Sequence, residues 1–140
     1  MNLNNKLILI ADSDYLTLKM LDMFFKSAGA KVLLEEECKN VFGLLDQIRP
    51  DIIILNMNEV HIDDCEYCKQ MKGELSKAAI PTIITSTMPV SKYEEKISSM
   101  GAIRYFQKPY SSSHLVDSVR EILEIPIMPG QTRTFYSQEQ

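Results

Sequence analysis

Short apolar runs alternate along this chain with longer stretches in which apolar residues recur every three or four positions. The runs fall at residues 6–11, 31–35, 51–55, 82–86 and 103–107, and predict strands; Ile52-Ile53-Ile54-Leu55 has the unbroken apolar character of a strand buried on both faces. The first amphipathic stretch predicts a helix over 15–28, with Leu18, Leu21, Phe25 and Ala28 on one face and Gly29 as its stop. Val41, Leu44, Leu45 and Ile48 mark the inner face of a second helix, and Pro50 separates it from the third strand. A third helix is expected over 64–76, with Pro81 opening the fourth strand. The fourth, 91–100, is closed by Gly101. The fifth, 112–124, follows an N-cap in Ser111-Ser112-Ser113 and turns Leu115, Val119, Ile122 and Leu123 inward. Five βα units in a row predict an α/β fold of the flavodoxin-like, doubly wound (βα)5 type, with a five-stranded parallel sheet in the order 2-1-3-4-5. Residues 1–124 form one domain in this reading. Residues 125–140 contain Pro126, Pro129 and Gly130 without periodicity, and read as a C-terminal extension or linker.

Composition narrows the function. A chain of 140 residues has room for one core and a short appendage. A net charge of −4 argues against a nucleic-acid-binding face. No apolar run has the length of a membrane span, and Leu7-Ile8-Leu9-Ile10-Ala11 stops at Asp12 without a cleavage site, so it reads as a strand and not as a signal peptide. A cytoplasmic location with reduced thiols is therefore expected for Cys38, Cys65 and Cys68.

Polar residues gather where the predicted strands end. They are Asp12-Ser13-Asp14 after the first strand, Asn56 after the third, Ser86 after the fourth and Lys108-Pro109 after the fifth, with Tyr105 inside the fifth. In a parallel α/β sheet the carboxyl ends of the strands are where sites are built. With these residues the chain, over 4–124, resembles the receiver domain of bacterial two-component response regulators. The resemblance implies an acidic pocket for Mg²⁺, a phospho-acceptor after the third strand, and a hydroxyl, an aromatic residue and a Lys-Pro pair as switch and phosphate-pocket positions.

Two of the matched positions depart from the family. The acceptor position holds Asn56, and an amide has neither the charge nor the free lone pair of a nucleophilic carboxylate. The acidic position that touches the metal most directly holds Ser13, so Asp12 is the remaining well-placed anion, with Asn58 near by. Magnesium favours carboxylates, which leaves room for weak binding at Asp12 and none for a full site unless the pocket is restored. Lys108 is expected to pair with Asp12 and, more weakly, with the Asn56 amide oxygen, while Asp14 points along the start of the first helix.

The leading expectation is a receiver-like signalling module, not an enzyme, that works by protein–protein contact without phosphorylation or cofactor. Its expected partner is a kinase, a regulator or an output domain. By resemblance that partner docks on the face of the fourth helix, fifth strand and fifth helix, which offers Lys92, Tyr93, Lys96 and Tyr105; a homodimer there is equally allowed. The alternative is a phosphorelay receiver in which Asn56 is an engineered or recent substitution. A third reading takes Cys65, Cys68 and His61 as a redox or metal sensor, although a cysteine pair at this helical spacing more often packs as core. Cys38 reads as structural, Glu35-Glu36-Glu37 as a solvated strand end and His114 as a surface residue. Met20 and Met100 read as core or boundary positions, and Met57 with Met88 as an apolar rim of the pocket.

Overall fold

The computed structural model describes residues 2–57, 80–89, 91, 94–95, 102–124 and 136–138. Strands β1 (Leu7–Ala11), β2 (Lys31–Glu35), β3 (Ile52–Asn56), β4 (Thr82–Ser86) and β5 (Ala102–Gln107) pair in the order 2-1-3-4-5, all parallel. A sixth strand, β6 (Tyr136–Gln138), continues the sheet beyond β5, also in parallel. It lies in the segment that the sequence pattern marks as an extension or linker.

Alternate strand residues point to opposite faces, and each face has its own core. Leu9, Ala11, Ile53, Leu55, Ile84 and Tyr105 turn to one side and pack with Val41 at the start of α2 (Val41–Leu45). Ile8, Ile10, Ile52, Ile54, Ile83 and Phe106 turn to the other, against α1 (Tyr15–Ser27) and α3 (Ser112–Glu124). The second helix is shorter than its apolar spacing suggests. A turn of 3-10 helix at Cys38–Asn40 precedes it, Leu44 and Leu45 are half-buried, and Ile48 lies beyond its end.

Helix α1 carries both of its end signals. The Asp14 carboxylate accepts the Leu16 N–H at 3.2 Å and caps the start. At the other end the Gly29 N–H reaches the Lys26 carbonyl and the Ala30 N–H the Phe25 carbonyl, the two bonds of a Schellman motif. Gly29 sits at φ +95, which is why that position is a glycine. Leu18, Leu21 and Phe25 face the core, whereas Met20 is 43% exposed. Met20 is thus not a core position: one residue before Leu21 it is turned about 100° away from the buried stripe. In α3, Leu115, Val116, Val119 and Ile122 are buried, and the Ser111 hydroxyl accepts the His114 N–H to cap it. No described helix is long and apolar enough to cross a membrane. The expected third helix, most of the fourth, and with them Asn58, His61, Cys65, Cys68, Lys92, Tyr93, Lys96 and Met100, lie outside the described residues.

Candidate functional site

The ends of β1, β3, β4 and β5 bring the polar residues of the sequence together. Parallel pairing puts Ala11 opposite Leu55 and Asn56 opposite Thr85, so Asp12 and Asn56 leave adjacent strands side by side. Asp12 is 2% exposed. One carboxylate oxygen accepts the Asp14 N–H at 2.9 Å and the other accepts the Lys108 ammonium at 2.8 Å. A carboxylate so far from water is stable only with such partners. Lys108 reaches it because its own N–H is bound to the Ser86 carbonyl at 2.7 Å, which extends the β4–β5 pairing past the strand ends.

Asn56 is half-buried, and among the described residues its amide oxygen takes the Thr85 hydroxyl at 3.3 Å and not the Lys108 ammonium. This corrects the expectation that Lys108 has Asn56 as a second partner; Lys108 is held by Asp12. Thr85 is a site residue that the strand pattern does not single out. Its signal was its place directly before Ser86 on the strand beside Asn56. The Asn56 carbonyl also accepts the Cys38 thiol at 2.8 Å, which ties the β3 end to the turn before α2.

Ser86 is buried, and its hydroxyl accepts the Met88 N–H at 3.1 Å. Tyr105 is fully buried in the core beside β4, and its hydroxyl donates to the Met88 carbonyl. Ser86 and Tyr105 therefore grip the same residue from two strands, one through its N–H and one through its carbonyl. Pro109 is exposed and follows Lys108 through a cis peptide bond. Ser13 is exposed, and Asp14 is turned to α1, where the Thr17 hydroxyl at 2.7 Å and the Leu16 N–H hold its carboxyl below the usual range against a smaller opposing effect of burial.

The apolar surface near the site is not the expected one. Met57 is buried in the core, because its N–H continues the sheet to the Thr85 carbonyl at 2.8 Å. A groove of about 330 Å³ next to Lys108 is lined by Thr17, Met20, Thr87, Lys108, Pro109 and Tyr110. The Tyr110 hydroxyl is buried there without a hydrogen-bond partner among the described residues. Burial pushes its pKa far up, with Asp12 and Asp14 adding to the shift. Its ring packs edge-on against Phe106 with centroids 5.7 Å apart.

Comparison with known proteins agrees with this fold. The profile of the response regulator receiver domain matches residues 8–120. The polar-differentiation response regulator DivK of Brucella anthropi is 21% identical over 118 residues, which cover 84% of this chain and 96% of the relative. Among solved structures, the receiver domain of the Francisella response regulator 1452 superposes with a TM-score of 0.70 at 22% identity, covering 86% of this chain and 98% of that one. A two-component response regulator from Clostridium difficile gives 0.74 at 21% identity, with 86% and 97% covered. At these identities the structures speak to fold alone. With the family profile matching residues 8–120, from β1 through β5 and every strand end just described, the chain belongs to the response regulator receiver domain family.

Proposed function

We propose that this receiver domain transmits a signal by contact with a protein partner and does not accept a phosphoryl group at residue 56. The observation that carries this reading is the chemistry of the β3 end. Asn56 presents an amide, already bonded to Thr85, beside an Asp12–Lys108 pair that satisfies itself. An amide oxygen is too weak a nucleophile to form an acyl phosphate. The donor set does not suit magnesium either. Asp12 has both oxygens engaged, Ser13 is neutral and exposed, and the described residues contain no cluster of three or more metal-ligating side chains. A hard dication needs several carboxylate or water oxygens at once, and here the one buried carboxylate is already shared between a backbone N–H and the Lys108 ammonium. Positioning and charge neutralisation supply most of phosphoryl-transfer catalysis, so loss of both nucleophile and metal removes the reaction.

Membership of the receiver family and the likeness to a differentiation response regulator support a role in signalling, with a kinase, a regulator or an output domain as the kind of partner. The cytoplasm is the compartment that fits such partners. The test is intact mass after incubation with a small acyl-phosphate donor and Mg²⁺, on the unaltered chain beside Asn56→Asp. No phosphoryl adduct on the unaltered chain is expected. An adduct on Asn56→Asp alone would mean that the rest of the pocket is still competent and that Asn56 is a recent or introduced change. Phosphate on the unaltered chain, mapped to this site, overturns the proposal.

A further inference from the structure

The edge of the sheet next to Tyr105 is already occupied. Strand β6 runs parallel to β5 with Arg104 opposite Tyr136, Tyr105 opposite Ser137 and Phe106 opposite Gln138. The residue at the centre of this ladder is the one whose hydroxyl holds the Met88 carbonyl, and Met88 is held in turn by Ser86 at the site. Its neighbour Arg104 is anchored to α3, donating to the Ser118 hydroxyl at 2.6 Å and to the Glu121 carboxylate at 2.7 Å. The β5 backbone thus faces the site through one side chain, helix α3 through the next, and the C-terminal segment through its hydrogen-bonding edge.

We infer that the β5 edge is a strand-accepting docking surface whose resident occupant is the chain's own segment 136–138, and that a partner engages this edge only when the segment lets go. The inference rests on the reading of the domain as a contact-driven module, and adds to it which contact is controlled and by what. An edge strand left bare offers a row of unpaired N–H and C=O groups that invites another chain, and a short covering strand removes that invitation. A cover of three residues has few ladder bonds. Such a segment belongs to the low-stability end of a structure, where release needs no unfolding of the core. The occupant is identified by its place in the ladder, and its means of attachment is backbone pairing.

The test breaks that pairing in the full chain. Successive N–H groups of a strand point to opposite sides, so Ser137→Pro with Gln138→Pro deletes the donor that faces β5 whichever of the two it is. In the variant, amide exchange over 102–107 should quicken about tenfold or more, with exchange in β1 and β3 unchanged. A labelled peptide of residues 133–140 should bind the variant and not the unaltered chain. Equal β5 exchange in the two proteins, or equal peptide binding, overturns the inference. A unaltered chain that is dimeric, with β5 protection lost on dilution, also overturns it, because the strand would then come from a second copy. None of these readouts depends on whether residue 56 can be phosphorylated, so failure here is distinguishable from failure of the proposed function.

Discussion

The Asp12–Lys108 pair is the residue-scale feature that the rest of the site depends on. Asp12 is 2% exposed and the Lys108 side chain 19%, so the two partners are unequal in their access to water. Removing the cation strands a buried carboxylate, whereas removing the carboxylate frees an ammonium that can swing outward. Lys108→Met is therefore expected to cost about 3 kcal/mol of stability, and Asp12→Asn about 1–2 kcal/mol. The double variant should cost about 1–3 kcal/mol less than their sum. Urea unfolding of the four proteins measures this coupling, and strict additivity would show that the 2.8 Å contact contributes nothing. Both residues were legible in the sequence because each follows a strand whose apolar run is unmistakable. Thr85 was not, since nothing within a strand says which neighbour its hydroxyl meets; that is decided by the register Asn56↔Thr85. Met57 was misplaced for the same reason, as one further hydrogen bond across β3 and β4 carries it into the core.

At the scale of elements, periodicity located what it could measure. Strands buried on both faces leave continuous apolar runs, and β2 and β4 fall where the pattern put them, with β1 and β5 differing by a residue at one end and β3 displaced by one residue as a whole. Helix α1 shows both the reach and the limit of the argument. Its buried face was readable from Leu18, Leu21 and Phe25, but not the exposed apolar side formed by Leu16 (75%), Met20 (43%) and Met23 (69%). An apolar residue in a sequence does not announce which way its helix is turned. Strand β6 escaped notice because three residues are too few to show a period. The end of α1, by contrast, was predicted by one residue, and that residue can be tested. A Cβ on Gly29 would lie 2.1 Å from the Asn4 side-chain oxygen, at φ +95. Gly29→Ala is expected to cost about 1–2 kcal/mol and lower Tm by about 3–8 °C. Adding Asn4→Gly should return the steric part alone, leaving the part due to the left-handed backbone. A Tm unchanged by Gly29→Ala would mean that the helix end rearranges without cost.

For the whole molecule, two groups at the same end of the sheet set opposite limits on stability with pH. The folded state holds Asp14 below its ordinary value of 3.8, chiefly through the Thr17 hydroxyl. Its contribution is therefore present above that value and is lost as pH falls through the lower, folded pKa. Tyr110 works in the other direction. Burial raises its pKa above the ordinary 10.0, so the fold favours the neutral phenol, and stability is complete below pH 10 and falls as the unfolded chain begins to ionise above it. The limiting slope for one proton is about 1.4 kcal/mol per pH unit. The hydroxyl that causes this loss has no compensating hydrogen bond among the described residues. Tyr110→Phe keeps the edge-on contact with Phe106 and removes only the oxygen. At pH 7 the variant should be as stable as the unaltered chain, or more stable by up to about 1 kcal/mol, because an unpartnered buried hydroxyl is a cost. At pH 11 its advantage should be larger by about 1 kcal/mol, since only the unaltered chain gains a proton-releasing group on unfolding. Every other group is common to both proteins and cancels in the difference. Urea midpoints of the pair at pH 7 and pH 11 decide the matter. A difference that does not grow with pH would show that the Tyr110 hydroxyl reaches water in the folded protein, and that this end of the sheet is more open than its packing implies.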